Sequence, residues 1–283
     1  MTLRPRRSVL YMPGANERAL EKAKSLEADA LILDLEDAVA PEVKAEARSR
    51  VAAAVKSGGY GRRELIIRIN GFETPWGMDD MQAAVEAAPD AILVPKVRCA
   101  ADVTRAVALM SQAPPHTRMW VMMETPLAML KAEEIAGADS RLSCLVLGTN
   151  DLVKETRASS GGQRFALVPM LSLCVLAARA HGLDVVDGVY NDFRDEAGFR
   201  AECEQGRRLG MDGKTLVHPG QISVCNELFS PSPEEAAWSK DIIAAFALPE
   251  NAAKGVITLD GKMVERLHLA MAERVVAIAE AIA

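Results

Sequence analysis

Eight short apolar segments recur along this 283-residue chain, and their spacing limits the folds that are open to it. Each is rich in Val, Ile and Leu, is too short for a helix, and does not alternate cleanly between apolar and polar residues. This pattern is typical of parallel strands that are buried on both faces. The segments are SVLYMP from Ser8, ALILDLED from Ala30, LIIRIN from Leu65, AILVPK from Ala91, MWVMMET from Met119, CLVLGTND from Cys144, LDVVDG from Leu183 and KTLVHP from Lys214.

The stretches between these segments have the spacing of amphipathic helices. In ERALEKAKSLEA, for example, the apolar residues are Ala19, Leu20, Ala23 and Leu26. About eight alternations of strand and helix predict an α/β fold of the TIM (β/α)8 barrel type. A doubly wound open sheet is the alternative, but that fold requires a Gly-rich fingerprint after its first strand, and the sequence has none there.

A further segment follows the eighth predicted strand and is larger than barrel closure requires. Ser232, Pro233 and Glu235 form a capping-box sequence that predicts a helix. The Asp260-Gly261 pair in VITLDGKMVE predicts a tight hairpin turn, and RLHLAMAERVVAIAEAIA predicts a last helix. We therefore predict a catalytic barrel domain over residues 1–229 and a helix–hairpin–helix lid over residues 230–283.

The charge, the cysteines and the apolar stretches bear on the partners and the location of the protein. The net charge is −6, and the 33 basic and 39 acidic residues are well mixed, so no basic face suggests nucleic acid. The five cysteines are scattered without a C-x-x-C pair, as in reduced proteins. The N-terminus has no long apolar core of a signal peptide, and the most apolar stretch, 167–180, is too short to span a bilayer. We expect a cytoplasmic protein without a membrane partner.

Nearly every predicted strand ends in side chains that can do chemistry. Active sites of (β/α)8 barrels form at the carboxyl ends of the strands, so these side chains predict a site at that end. In strand order, from the second to the eighth, they are Asp34, Glu36 and Asp37; Arg68 and Asn70; Lys96; Glu124; Asn150 and Asp151; Asp187; and His218.

Glu124 and Asp151 follow adjacent predicted strands, so their carboxylates could converge on one cation. Mg²⁺ takes one or two protein carboxylates and fills its other positions with water and substrate. The alternative is an ion pair of these acids with Arg68 or Lys96. We favour the metal, with Mn²⁺ as a second candidate, because five acids at one rim outnumber those two partners. Two of the five, Glu36 and Asp37, are then expected to accept hydrogen bonds from metal-bound waters.

The motifs of the chain resemble, in order, those of the citrate lyase β-subunit-like family within the HpcH/HpaI aldolase group. They are LYMPG, LDLEDAVAP, RINGFETPWG, PKV, ET, LGTNDL, DGVYNDFRDEAGF and GKTLVHPGQI. The group includes malyl-CoA, β-methylmalyl-CoA and citramalyl-CoA lyases. The resemblance implies a TIM barrel, Mg²⁺, a CoA thioester substrate, a small 2-oxo acid and a homo-oligomer built on trimers, either a trimer or a hexamer.

The resemblance also implies roles for particular residues. Glu124 and Asp151 match the metal ligands of the family, and Arg68 matches the arginine that contacts the thioester and acyl group. The positions that match CoA or substrate contacts are Tyr11, Met12, Lys22, Val217, His218 and Pro219. In GKMVE, Glu265 stands where the lyases carry an Asp on a C-terminal lid that closes over a neighbouring subunit's site. We therefore predict Glu265 as the catalytic acid/base.

Three functions are open. The first is a lyase that cleaves a 3-hydroxyacyl-CoA, such as malyl-, β-methylmalyl- or citramalyl-CoA, to acetyl- or propionyl-CoA and a 2-oxo acid. Arg68 would then stabilise the enolate oxygen of the departing acyl-CoA. The second is a (3S)-malyl-CoA thioesterase, which hydrolyses the same type of thioester. The third is a citrate lyase β-like subunit that is inactive without an acyl-carrier partner.

Overall fold

The computed structural model describes residues 4–159 and 164–282 and contains a closed barrel of eight parallel strands. Each strand pairs with the next along the chain, and β8 pairs with β1. The strands are β1 (Ser8–Pro13), β2 (Ala30–Asp34), β3 (Glu64–Arg68), β4 (Ala91–Val94), β5 (Arg118–Met123), β6 (Leu142–Leu147), β7 (Asp184–Asp187) and β8 (Gly213–Leu216). All eight coincide with the apolar segments, so the predicted TIM barrel is confirmed.

Helices follow the strands and surround the barrel in sequence. They are α1 (Glu17–Ala23), α2 (Lys44–Ser57), α3 (Gly77–Ala87), α4 (Ala100–Leu109), α5 (Pro126–Leu130), α6 (Ala132–Ala136), α7 (Thr149–Thr156), α8 (Val168–Ala180), α9 (Glu196–Leu209) and α10 (Ile222–Phe229). Short 3₁₀ turns span Pro41–Val43 and Pro219–Gln221. The sixth strand ends earlier than its apolar segment suggested, so Asn150 and Asp151 lie in the first turn of α7 and not on a strand.

The barrel interior is filled by apolar side chains. It includes Trp120, which is fully buried, and these further buried residues: Val9, Ala30, Ile32, Ile66, Ala91, Leu93, Met122, Cys144, Val146 and Val186. Removing this apolar area from water stabilises the barrel at about 25 cal/mol per Å². A packed interior of this kind leaves the open space for a site at the strand ends.

The chain divides into two compact units, of which one is Arg6–Asn226 and contains the barrel. The other contains Glu227–Ala283 and the residues up to Pro5. In it, α11 (Pro233–Ala247), the antiparallel pair β9 (Val256–Leu259) and β10 (Lys262–Glu265), and α12 (Arg266–Ile282) give the predicted order of helix, hairpin and helix. A short 3₁₀ turn, Pro249–Asn251, follows α11.

Local sequence explains the elements of this second unit. The Ser232 hydroxyl accepts the N–H of Glu235, whose carboxylate accepts the N–H of Ser232 in return, which is the predicted capping box. Asp260 (φ 49°) and Gly261 (φ 74°) both lie in the left-handed region, as a two-residue hairpin turn requires. Ile242, Phe246, Ile257, Val264 and Ala272 form its small core.

Within residues 4–159 and 164–282, no helix combines the length and the apolar composition needed to cross a membrane.

Candidate active site

A cavity of about 280 Å³ opens at the carboxyl ends of the barrel strands. Its walls include Tyr11 from β1, Arg68 from β3, Glu124 after β5, Asp151 from α7 and Val217 after β8. These five residues are far apart in sequence, and the closed parallel sheet brings them together because every strand ends on the same side. The cavity is therefore where the fold class places active sites.

Arg68, the last residue of β3, is held rigidly by Asp34 at the end of β2. Its Nε and Nη2 donate to Asp34 Oδ1 and Oδ2 at 2.6 and 2.7 Å, and the guanidinium carbon lies 4.7 Å from the centre of the Tyr11 ring. Asp34 also accepts the backbone N–H groups of Glu36 and Ala38 at 2.9 and 3.1 Å. The two-pronged pair fixes the plane of the guanidinium, which a lysine could not reproduce.

Glu36 and Asp37 lie against the remaining terminal nitrogen of Arg68. Arg68 Nη1 is 2.8 Å from Glu36 Oε2 and 3.4 Å from Asp37 Oδ2. The Glu36 contact is close but is not aligned as a hydrogen bond, and Oε2 has no hydrogen-bond partner among the described residues. Burial raises the pKa of Glu36 to about 8, although Arg68 acts to lower it. The acids after β2 thus face an arginine at the cavity edge.

Glu124 and Asp151 are joined through Lys96. The backbone N–H of Lys96 donates to Glu124 Oε1 at 2.7 Å, and its ammonium lies 2.6 Å from Asp151 Oδ2 and 3.4 Å from Glu124 Oε1. The ion pair that we weighed against a metal is therefore present in the structure. It involves Lys96 alone of the two cations considered, because Asp34 takes two of the three side-chain nitrogens of Arg68.

Each of the two carboxylates affects the pKa of the other. Burial raises the pKa of Glu124 to about 7, against the effect of Lys96. Burial also acts to raise the pKa of Asp151, but hydrogen bonding with Lys96 and Glu124 outweighs it, so that pKa is lowered. Opposite shifts of this kind are typical of two acids that compete for one proton or share one cation.

The donor set suits a hard divalent cation. Residues 4–159 and 164–282 contain no group of three or more His, Cys, Asp or Glu side chains placed to hold a metal, so the pair supplies two carboxylates only. Mg²⁺ accepts that number and takes water and substrate oxygens besides. Space beside the pair depends on Gly148, since a Cβ there would lie 2.4 Å from Glu124 Cβ and 2.8 Å from Oε2. The residues present therefore fit Mg²⁺.

The other residues predicted from the resemblance divide into two groups. Tyr11 and Val217 line the cavity with Arg68 and the carboxylate pair. Four do not line it: Met12 is buried in β1, Lys22 is exposed on α1, His218 caps the amino end of the 3₁₀ turn after β8, and Pro219 is the first residue of that turn.

His218 has local partners that account for its position. Its Nδ1 accepts the backbone N–H of Gly220 at 3.1 Å, and its ring stacks on Phe193 with the ring centres 4.7 Å apart. The stack is near parallel, with an angle of 17° between the rings. Because His218 does not line the cavity, these contacts fit a structural residue better than a general base.

Glu265 belongs to the second compact unit, where it ends β10. It is half-buried, and its backbone N–H donates to His268 Nδ1 at 2.9 Å at the start of α12. The hairpin turn at Asp260-Gly261 fixes the register of the strand that presents it.

Two features of the barrel mouth were not predicted from sequence. Asn150 and Asn191 exchange amide hydrogen bonds of 3.3 and 2.8 Å across the cavity wall. Asp187, which we expected at the site, is instead buried against Lys214 and Arg164 at 3.0 and 2.8 Å and does not line the cavity. In the sequence, this pairing could have been inferred from Lys214, because a lysine in a predicted buried strand needs an acidic partner.

Comparison with known proteins gives a consistent picture. The model of the HpcH/HpaI aldolase/citrate lyase family matches residues 7–219. A (3S)-malyl-CoA thioesterase of Cereibacter sphaeroides is 53% identical over 279 residues, which cover 99% of this chain and 96% of that protein. An L-malyl-CoA/beta-methylmalyl-CoA lyase of the same species is 35% identical over 305 residues, with coverage of 99% and 96%.

Among solved structures, the chain resembles the protein CitE from Mycobacterium tuberculosis in complex with magnesium, acetoacetate and coenzyme A. The TM-score is 0.78 at 28% identity, covering 98% of this chain and 100% of that one. A citrate lyase from Burkholderia xenovorans, at 21% identity and a TM-score of 0.84, shares the fold.

Proposed function

Since the chain belongs to the HpcH/HpaI aldolase/citrate lyase family, we propose that it is a Mg²⁺-dependent enzyme that hydrolyses a malyl-CoA-type thioester to malate and free CoA. The observation that carries this proposal is the 53% identity to a (3S)-malyl-CoA thioesterase over nearly the whole of both chains. The identity to a lyase of the family is 35% over a similar span. The lyase, which the sequence analysis placed first, becomes the second candidate.

Glu124 and Asp151 would hold the metal in this proposal. A bound Mg²⁺ would act as a Lewis acid toward an oxygen of the substrate. The protein supplies the pair in a fixed position, because Glu124 is 1% exposed and is anchored by the backbone N–H of Lys96. Cleavage of either the thioester bond or the carbon–carbon bond could use the same metal site, so this pair alone does not separate the two activities.

Arg68 would act where negative charge develops on the thioester oxygen. Asp34 takes its Nε and Nη2, so Nη1, which also contacts Glu36 and Asp37, is the nitrogen that would donate to a substrate oxygen in the cavity. Because the guanidinium is already oriented, little reorganisation is needed when charge builds up on that oxygen. Arg68 is only 6% exposed, and the exclusion of water strengthens its interaction with a charged oxygen.

Glu265 is proposed as the acid/base, acting from a neighbouring subunit of a trimer-based homo-oligomer. In a hydrolase it would position a water against the thioester carbonyl and accept its proton. Its support is the similarity of GKMVE to the family motif, in which Glu265 stands in place of Asp, and its defined place at the end of β10. In a mixture of Glu265→Ala and Arg68→Ala chains, some oligomers would combine an intact Glu265 with an intact Arg68, and activity should partly return. Mixed oligomers without activity would contradict the arrangement.

The proposal is tested by incubating the purified chain with (3S)-malyl-CoA and Mg²⁺. A hydrolase releases malate and a free CoA thiol and forms no glyoxylate. A lyase releases glyoxylate and acetyl-CoA and no free thiol, which would contradict the proposal. If turnover appears only after an acyl-carrier protein is added, the chain is a subunit of a larger lyase and the proposal is wrong.

A further inference from the structure

Lys96 has a backbone conformation that is unusual for its residue type. Its φ is +57°, in the left-handed region where a side chain with a Cβ is disfavoured. It follows β4 directly after Pro95, at the carboxyl end of the barrel. Strained residues of this kind persist only where surrounding contacts hold them, and they concentrate at functional sites.

Among the described residues, the hydrogen bonds and ion pairs of Lys96 all go to the carboxylate pair. Its main-chain N–H donates to Glu124 Oε1 at 2.7 Å, and its ammonium is 2.6 Å from Asp151 Oδ2 and 3.4 Å from Glu124 Oε1. The left-handed turn therefore directs both ends of one residue at the same two acids. No other residue in the described ranges forms an ion pair with Glu124 or Asp151.

This arrangement has an electrostatic consequence. Two carboxylates brought together in a partly buried place repel each other, and Glu124 is almost fully buried while Asp151 is about a quarter exposed. A single ammonium offsets much of that repulsion. A divalent cation would bind oxygens of the same two groups. The ammonium and the metal would therefore be attracted by the same two negative charges.

We infer that Lys96 is a built-in counter-ion that competes with the divalent cation for the Glu124–Asp151 pair. The inference rests on the metal site of the proposed function. It assigns Lys96 two effects: it stabilises the fold when the pair has no metal, and it holds the affinity for Mg²⁺ below what the two acids alone would give.

The test is calorimetric titration of the whole protein with MgCl₂ at fixed pH, which reads binding independently of activity. Lys96→Met removes the ammonium and keeps an unbranched side chain that is one heavy atom shorter. Loss of a neighbouring positive charge should tighten Mg²⁺ binding by about tenfold or more. Lys96→Arg keeps the charge and should not tighten it.

Two further variants guard against misleading results. Asn tolerates the left-handed conformation better than most residues, so Lys96→Asn keeps the backbone donor to Glu124 even if Lys96→Met folds poorly. Lys131→Met is the matched control, because Lys131 also pairs with an acid, Glu134 at 3.4 Å, but away from the cavity. It should bind Mg²⁺ as the wild type does.

Thermal unfolding supplies the second readout. In EDTA, Lys96→Met and Lys96→Asn should melt below the wild type, because the acids lose their counter-ion. Saturating Mg²⁺ should raise the melting temperature of these variants by more than it raises that of the wild type.

Folded Lys96→Met and Lys96→Asn proteins that bind Mg²⁺ no more tightly than the wild type would overturn the inference and leave the metal site intact. If the wild type and every variant fail to bind Mg²⁺, both the inference and the metal assignment are wrong.

Discussion

The two ends of the barrel contain the same kind of unit, an arginine that clamps a carboxylate and lies over an aromatic ring. At the amino end, Arg6 donates twice to Glu64 at 2.8 Å and lies 4.8 Å from the centre of the Trp120 ring. At the carboxyl end, Arg68 donates twice to Asp34 and lies 4.7 Å from the Tyr11 ring.

The surroundings of the two units differ. Arg6 also pairs with Asp184 at 2.7 Å, so all three nitrogens of its guanidinium have a carboxylate partner. Around Arg68 there is a surplus of acid from Glu36, Asp37 and the Glu124–Asp151 pair, beside a cavity of about 280 Å³. A shared motif therefore does not imply a shared role: we assign stability to the amino end and chemistry to the carboxyl end.

The largest effect is expected at the metal pair. Glu124→Gln keeps the size of the side chain but removes a charge that the metal needs, so kcat/KM should fall by about 10³-fold or more. Circular dichroism should show an intact fold. Glu133→Gln, on the exposed face of α6, is the matched control and should remain active. Full activity of the wild type in excess EDTA would contradict the metal assignment.

At the amino end the loss should be in stability. Arg6→Met leaves the carboxylate of Glu64, which is 3% exposed, without its partner. Breaking a buried pair from one side costs about 3–5 kcal/mol of unfolding free energy, measurable by urea denaturation. Adding Glu64→Leu should restore much of that stability, because an apolar pair can replace a buried ion pair.

The folded fraction of Arg6→Met should keep the wild-type kcat/KM under conditions where it is fully folded. A large fall in kcat/KM without a loss of stability would show that the amino end takes part in the chemistry, and the contrast between the two ends would not hold.

Arg68→Lys tests the other unit directly. A lysine keeps the charge but cannot make both contacts with Asp34, so the positive group should move by roughly an ångström and reduce kcat/KM about 100-fold. Arg105→Lys is the control, since Arg105 lies over Phe72 at 5.2 Å on the exposed surface of α4. Near-wild-type kinetics for Arg68→Lys would mean that Arg68 is structural, like Arg6.

The smallest effect is expected at the rim of the carboxyl end. His218→Gln keeps an acceptor for the Gly220 N–H but loses the stack on Phe193. We expect KM to rise about threefold with kcat little changed, because loss of the stack would loosen the neighbouring Val217, which lines the cavity. A collapse of kcat with unchanged KM would instead identify His218 as a catalytic group.

The fold could be predicted from sequence because each strand is buried on both faces and therefore appears as an apolar run. The family followed from the motifs, and the match over residues 7–219 confirms it. What failed was the end of the sixth strand: Gly148 turns the chain beside Glu124, and α7 begins at Thr149. The close approach of Gly148 to the Glu124 side chain leaves no signal in hydrophobic spacing.

The charge pairs were harder to predict than the strands. Arg6 and Glu64 are 58 residues apart, and Arg68 and Asp34 are 34 apart, so only the closed barrel makes them neighbours. Counting acids at the rim favoured a metal but could not say that Asp34 would take Arg68, or that Lys96 would bridge Glu124 and Asp151. Composition gives the number of charges at an end, and the register of the strands decides which of them meet.

Turnover in H₂¹⁸O tests whether the carboxyl end is a metal-dependent site for thioester hydrolysis. The wild type is supplied with (3S)-malyl-CoA and Mg²⁺, and the products are measured by mass spectrometry, with a parallel reaction in EDTA. We expect free CoA and malate with one ¹⁸O in a carboxyl group, and no product in EDTA. Acetyl-CoA and glyoxylate in place of labelled malate, or labelled malate formed equally in EDTA, would contradict this expectation.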